Sequence, residues 1–345
     1  EITLSKTFGT PDSNSAISFF TAANFLSYGN NLNVVRAVGA NSFNADANTS
    51  TPNIQVGNSD VFQYTLLNSN NGNAYGTFMA RYAGALGNSL SVSVCANTSM
   101  FSTWTYASYF TSAPTTSSFV SAVGGSNDEL HVIVIDEDGL FSGTPGTVLE
   151  KYEYASKASD GKDSSGNTSY YKNQIEQKSK YVWWLQHVTG GSNWGTTAAG
   201  KTFTAVLKNT SVSLAGGAEG TIGDAELIAA YDKFANGDTI DISLLISGPG
   251  NTTVASDLIS KAESRKDCLV FLSPTKASVV NNAGSESSSI ISFRAGLTSS
   301  SYSVIDSGYK YQYDRYSDVY RWVPLNGDIA GVCARTDQER DPWYS

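Results

Sequence analysis

Histidine, cysteine and charge are scarce in this chain, and each shortage removes a class of chemistry. Only two histidines occur, His131 and His187, and no G-x-S-x-G stands in the 345 residues, so the parts of a serine-type hydrolase are missing. Each histidine belongs to an apolar run, HVIVI or YVWWLQHV, and a packing or surface role is expected. Cys95, Cys268 and Cys333 are widely spaced and form no C-x-x-C pair, which excludes a disulfide framework or zinc centre and predicts buried free thiols. Charged residues make up only 15% and the net charge is −9, so the basic footprint that nucleic acid requires is absent. No apolar run reaches the roughly 18 residues of a membrane span, and the start lacks a signal-peptide layout, so a soluble chain without a membrane anchor is expected. Asp136 and Asp138 are the one acidic pair placed to hold a cation, but in a DEDG turn they read as solvated caps. No catalytic residue, cofactor or metal is expected.

What is present is apolar and aromatic. Hydrophobic residues make up 40% and aromatics 12%, with 19 tyrosines against 15 phenylalanines, a globular composition. The length exceeds one ordinary core and predicts two or three domains. Low charge with abundant Ser, Thr, Asn and Gly suits β-rich surfaces and stacking into assemblies. N-x-S/T sequons at Asn48, Asn97, Asn167, Asn209 and Asn251 are what such a composition produces by chance. A start at Glu1 without methionine and a stop at Ser345 within an aromatic run read as a piece of a longer protein.

Along the chain the hydrophobic period changes three times. A helix is predicted from about Ser15 to Tyr28, closed by Gly29, and a buried strand from Leu32 to Val38. Residues 41–75 are loop-rich with one strand candidate, Val61 to Leu67. From Phe78 to Gly217 alternation and turns predict strands at Ser89–Val94, His131–Ile135, Thr147–Ser156, Tyr181–Val188 and Thr202–Asn209. After Gly220, GDAELIAAYDKFANG and TVASDLISKAESRK are amphipathic helices, and TIDISLLISG and CLVFLSP are strands. The sum is an α+β, multidomain chain: a discontinuous α/β core of residues 1–40 plus 222–345, a short insertion at 41–75, and a β-rich domain at 76–221.

Two patterns imitate binding sites. GTTAAGKT at Gly195 to Thr202 fits the phosphate-loop pattern G-x-x-x-x-G-K-[ST], with Lys201 for the β/γ-phosphates and Thr202 for magnesium. The β-branched run after Lys201 reads as a strand and leaves no helix N-terminus to face a phosphate, and the acidic strand HVIVIDED comes before the loop. Trp183, Trp184 and Trp194 are candidates for stacking on sugar rings, as in a glycan-binding phage adhesin. Alternation along YVWWLQHV puts Trp183 and Trp184 on opposite faces, so at least one belongs to a core.

The segment YKYQYDRYSDVYRWVPLNGDIAGVCARTDQERDPWYS, Tyr309 to Ser345, closely resembles the contractile tail sheath proteins of T-even-type phages. It carries a W-V-P-x-x-x-D-I-A-G-x-x-A-R-T-D core at Trp322, Val323, Pro324, Asp328 to Gly331 and Ala334 to Asp337. FGTP at Phe8, NFLSYGNNLNVVRAV at Asn24, RYAGALGNSLSVSV at Arg81, SGTPGTVLEKYEYASKASDGKD at Ser142 and RKDCLVFLSP at Arg265 are similar to the same family and occur in its order. The likeness is weak from Ala40 to Tyr75 and from about Gly190 to Gly220.

The resemblance implies a structural subunit of a virion tail, assembled in the host cytoplasm and without enzymatic activity. It implies stacked hexameric rings of sheath subunits around a tail tube, bounded by baseplate and tail terminator proteins, which contract to drive the tube through the host envelope. It also implies an α/β core near the tube with β-rich domains outside, and places residues 41–75 where relatives carry a larger outer domain. The family's terminal extensions, by which subunits exchange strands, are expected to be missing here. Arg335, Asp337 and Arg340 are the candidate assembly contacts, because charged side chains re-pair between two rigid-body states.

Overall fold

The computed structural model describes residues 1–48, 53–67, 75–187, 190–205, 210–341 and 343–344. The fold is α+β and divides into two compact units, one of Glu1–Gly39 with Ile222–Ser345 and one of Ala40–Thr221. No helix among the described residues is long and apolar enough to cross a membrane.

The discontinuous unit opens with α1 (Ile2–Phe8) and α2 (Ala16–Phe25). α2 stops three residues before the predicted end, where Ser27, Tyr28 and Gly29 close it through short-range turn bonds. The predicted strand at Leu32–Val38 does not form: this stretch carries no secondary structure, and Val34 and Val35 are 41% and 36% exposed. Its β-branched residues favour extended backbone, but no strand takes it as a ladder partner.

The second unit follows with β1 (Asn44–Asp46), α3 (Ser59–Val61), β2 (Phe78–Ala83), β3 (Leu90–Cys95), α4 (Ser118–Ala122), β4 (Glu129–Asp136), β5 (Thr147–Ser156), α5 (Tyr171–Lys178), β6 (Val182–Trp184) and β7 (Thr210–Ser213). β1, β2 and β6 form one antiparallel sheet, and a second runs in the order β5-β4-β3-β7. The strand predicted at Val61–Leu67 is helical instead, α3 running into a π-helical stretch from Phe62 to Leu67. Phe62 and Leu66 lie four apart and bury together against Trp183, a helical spacing that outweighs the local alternation.

β4 shows why HVIVI reads as a core strand. Leu130, Val132 and Val134 face a cluster with Val92, Tyr171 and Trp184, while Ile133 and Ile135 face another with Cys95, Trp104 and Phe110. Both faces are covered, so the run is continuously apolar. The strand predicted from Thr202 to Asn209 is reduced, among the described residues, to single bridges from Thr202 to Ser126 and from Thr204 to Ser192, with 206–209 outside them.

The chain then returns to the first unit through α6 (Asp224–Tyr231), β8 (Leu244–Ile246), α7 (Thr252–Arg265), β9 (Leu269–Leu272), α8 (Lys276–Val279), α9 (Glu286–Ala295), β10 (Ser303–Ile305), β11 (Tyr309–Asp314), β12 (Val319–Pro324) and α10 (Asn326–Glu339). β8, β9 and β10 make a parallel sheet in the order β10-β9-β8, which requires helical crossovers. α7 is the best defined of these. Asn251 caps it by accepting from the Thr253 and Val254 amides, Val254, Ala255, Leu258, Ile259 and Ala262 form its buried stripe, and Lys266 ends it in the left-handed conformation at φ 63°. Burying each larger aliphatic side chain of that stripe contributes about 1.5–3 kcal/mol.

Candidate functional site

The recognisable closing segment folds as a hairpin, β11 and β12, followed at once by α10. The pairs Lys310↔Val323, Gln312↔Arg321 and Asp314↔Val319 place one set of side chains on a single face, and Tyr311↔Trp322 and Tyr313↔Tyr320 place the other set opposite. Apart from Val319, which is 42% exposed, the first set faces its own unit. Lys310 Nζ donates to Asp328 Oδ1 at 2.7 Å, Asn24 Nδ2 donates to Gln312 Oε1 at 2.9 Å, and Arg321 Nε donates to buried Asp314 Oδ2 at 2.7 Å. Val323 enters a cluster with Leu4, Ala16, Phe19 and Phe20.

The second set points away. Tyr311, Tyr313 and Tyr320 are 57%, 48% and 59% exposed. Their rings form a ladder with centroid separations of 5.1 Å for Tyr311–Tyr320, 4.8 Å for Tyr311–Trp322 and 5.4 Å for Tyr313–Tyr320. The hairpin is a sheet of two strands only, so among the described residues no further strand pairs with either outer edge. Unpaired strand edges thus lie beside exposed rings on this side of the unit.

α10 lies against α2, and two glycines make the approach possible. A Cβ at Gly327 would stand 2.4 Å from the Thr21 carbonyl oxygen, and one at Gly331 would stand 2.5 Å from Tyr28 Cδ2. The G-D-I-A-G run is therefore a packing seam: Gly327 and Gly331, four apart, share one helix face. A glycine inside a helix is costly in isolation, so only its neighbour reveals the reason.

Arg335 and Asp337 are exposed on the far part of this helix, and exposed Arg340 caps its end. The Arg335 guanidinium sits 5.1 Å over the Tyr28 ring and that of Arg340 sits 5.5 Å over Tyr344. Two helical positions separate Arg335 from Asp337, which puts them on different faces. Burial, with a smaller effect from the Asp337 charge, raises the half-buried Cys333 thiol. Cys95 and Cys268 are buried, and all three thiols are free.

The phosphate-loop pattern has another use. The Gly195 N–H donates to Lys157 O, Thr196 to Asn193 O, Gly200 to Val123 O and Lys201 to Ala198 O, and the Ala198 N–H donates to Asp160 Oδ1. Five of the loop's amides are thus taken by the chain itself, and extended bridges rather than a helix follow Lys201. Trp183, Trp184 and Trp194 are 1%, 2% and 7% exposed, so none offers a face to a sugar. Trp183 instead stacks on Phe62 with Arg81 over its ring.

Asp136 corrects the solvated-cap expectation, for it is fully buried. Its carboxylate accepts from Ser89 Oγ and from the Phe141 N–H, Ser142 N–H and Ser142 Oγ at 2.7–3.0 Å, tying the turn to the sheet. Among the described residues no three His, Cys, Asp or Glu groups converge as metal ligands.

His131 is buried and stacked on Phe110, with Nδ1 accepting the Tyr154 N–H and Nε2 donating to Ser112 O. Those roles define a neutral ring, and burial lowers its pKa. His187 is bonded through Nδ1 to the Tyr171 hydroxyl. Burial, and then the Lys172 charge, push it down to about 4.

The sequence reading missed Lys157, which is 1% exposed and donates to the carbonyls of Ala96, Asn127 and Glu129 at 3.1, 2.8 and 2.7 Å. Burial lowers it to about 8 against the opposing effect of Asp128. Its place in a polar SKASDGKD stretch gives no sign of this role.

Comparison with known proteins finds relatives of one kind. The chain is 38% identical over 149 residues to the tail sheath protein of Enterobacteria phage T4 and 36% identical over 152 residues to that of Vibrio phage KVP40, each match covering 38% of this chain. Against the tail sheath protein of Salmonella phage ViI it is 26% identical over 424 aligned positions that take in 97% of the chain. It is a homologue of phage tail sheath proteins. These matches span 22%, 23% and 63% of the sheath relatives' own lengths, less than two thirds in each. No family model matches the chain.

Proposed function

We propose that this chain forms the body of a subunit of a contractile phage tail sheath, stacked as hexameric rings around a tail tube between baseplate and tail terminator. In this reading the rings assemble in the host cytoplasm, then shorten and widen to drive the tube through the host envelope. The observation that carries it is the likeness to the ViI sheath protein along nearly the whole chain. The discontinuous unit serves as the core, and the β-rich unit is inserted in its sequence. Neighbouring copies are joined by exchanged strands, for which the open edges of the β11–β12 hairpin are receptive.

The role is structural and not enzymatic. Five of the phosphate-loop amides are bonded within the chain, which supports work stored in assembly over nucleotide turnover. Contraction moves near-rigid bodies between two packings, so polar contacts that re-pair are favoured at interfaces. Arg335, Asp337 and Arg340 are our candidates, being charged and exposed at the end of α10. Electron microscopy of the full-length protein expressed alone is the test: tubular polymers are expected, and a strictly monomeric protein refutes the reading. Unaltered assembly and contraction after Arg335→Ala with Asp337→Ala would remove those residues from the interface.

A further inference from the structure

Tyr313 and Tyr320 are direct cross-strand partners in the β11–β12 hairpin, with ring centroids 5.4 Å apart and planes tilted by 54°. Direct partners hold their Cβ atoms about 4.5–5.5 Å apart, so a small side-chain rotation brings an ortho carbon of one ring against that of the other. Both rings are exposed. The Tyr313 hydroxyl donates to Asp318 Oδ1 at 2.7 Å, and Asp318 is itself exposed, so a proton that it takes passes on to water.

The other close tyrosine pairs among the described residues lack part of this arrangement. The Tyr106 and Tyr109 rings are 6.3 Å apart. Tyr170 meets Tyr171, whose ring is fully buried and whose hydroxyl is bonded to His187. Tyr311 lies 5.1 Å from Tyr320 with planes only 26° apart, a stacking that turns faces rather than ortho edges toward each other.

We propose that Tyr313 and Tyr320 are an oxidative cross-linking site, joined as dityrosine by a one-electron oxidant, with Asp318 as the proton acceptor for Tyr313. Each phenol gives one electron to the oxidant and its hydroxyl proton to a base, Asp318 for Tyr313 and water for Tyr320. The two phenoxyl radicals combine through one ortho carbon each, and a C–C bond forms. The hydrogens at those carbons move through solvent to the phenolic oxygens as the rings become aromatic again. Two electrons and two protons have then left, and two equivalents of oxidant are reduced. Radicals already held side by side combine before radicals on separate molecules can meet, because the fold has removed the entropy of encounter. The link closes the turn between β11 and β12 covalently, and it depends on the hairpin alone and not on the sheath reading.

The experiment exposes the dilute, unassembled full-length protein to photo-excited ruthenium tris-bipyridyl with persulfate, a one-electron oxidant that also works in urea. Trypsin cuts after Lys310, Arg315 and Arg321, so mass spectrometry should find residues 311–315 joined to 316–321, lighter by two hydrogens. The link is expected in native buffer at a yield independent of protein concentration. It should be lost in Tyr313→Phe and in Tyr320→Phe, kept in Tyr311→Phe, and formed more slowly in Asp318→Asn. The phenylalanine variants keep each ring and should melt with wild type. A link retained in Tyr313→Phe or lost in Tyr311→Phe overturns the pairing. An equal yield in urea overturns it too, since nearness in sequence would then suffice. Links that are only intermolecular, rising with concentration, have the same consequence. A rate unchanged in Asp318→Asn removes the carboxylate from the reaction.

Discussion

Replacing Gly327 with alanine is a one-carbon change with a calculable sign. Alanine is favoured over glycine inside a helix by about 0.8–1 kcal/mol, so an unobstructed site would gain stability. At Gly327 the new Cβ would lie 2.4 Å from the Thr21 carbonyl oxygen and 2.9 Å from Thr21 Cγ2. The oxygen belongs to α2 backbone and cannot rotate away, so the helices must separate, and overpacking of this kind costs about 1–3 kcal/mol. The net expectation for Gly327→Ala is a loss of roughly 1–2 kcal/mol. Gly331→Ala meets the Tyr28 ring instead. That half-buried side chain can turn aside, so this variant should lie within about 1 kcal/mol of wild type. Hydrogen exchange of α2 and α10 amides, read with urea unfolding, separates the two variants. Gly327→Ala as stable as wild type, or more stable, would refute the idea that the seam is set by backbone contact.

Other expectations follow from buried charge. Lys157→Met removes the ammonium that three carbonyls share, that of Ala96 buried and those of Asn127 and Glu129 partly so, and should cost about 3 kcal/mol by thermal melting. With a folded pKa of about 8 against 10.5, the unfolded chain holds more protons between those values. Lys157 therefore makes stability rise with pH from about 8 to 10.5, and this slope should vanish in Lys157→Met. His187, lowered from 6.5 to about 4, acts at acid pH with the same sign: its contribution is present above 6.5 and lost as pH falls toward 4. Because the residue is partly exposed the effect is held to about 1 kcal/mol, and a melting series of wild type against His187→Gln measures it. Lys201→Ala should change stability by less than about 0.5 kcal/mol. Calorimetry should detect no magnesium-ATP binding by wild type, and binding that Lys201→Ala abolishes would restore the nucleotide reading.

Elements with an unambiguous period were legible in the sequence. β5 spans the predicted Thr147–Ser156, and α7 follows its apolar stripe from the Asn251 cap. Leu32–Val38 failed because β-branched composition describes a preference for extended backbone and says nothing about a partner to pair with. Val61–Leu67 failed because Phe62 and Leu66 answer to Trp183, which is more than a hundred residues away. At the candidate surface, the Tyr/Trp stretch and the DIAG run were visible as letters. The division of the hairpin into a committed face and an open one requires the cross-strand register. The close approach at Gly327 requires Thr21, near the other end of the chain.

The division of one unit between the two ends of the sequence has a consequence for the order of birth. α2 leaves the ribosome early, yet α10, which covers its Thr21–Tyr28 side, begins roughly 300 residues later. At about 5–20 residues per second that is on the order of 15–60 s of synthesis. Throughout this time Phe19, Phe20 and Phe25 wait without Val323 and Ala330, the partners that bury them. The inserted unit finds its strand partners within its own continuous run and can close first. The nascent chain therefore carries a finished domain while its discontinuous unit is still open, and that interval is when its apolar surface is most exposed to chaperones and to misfolding.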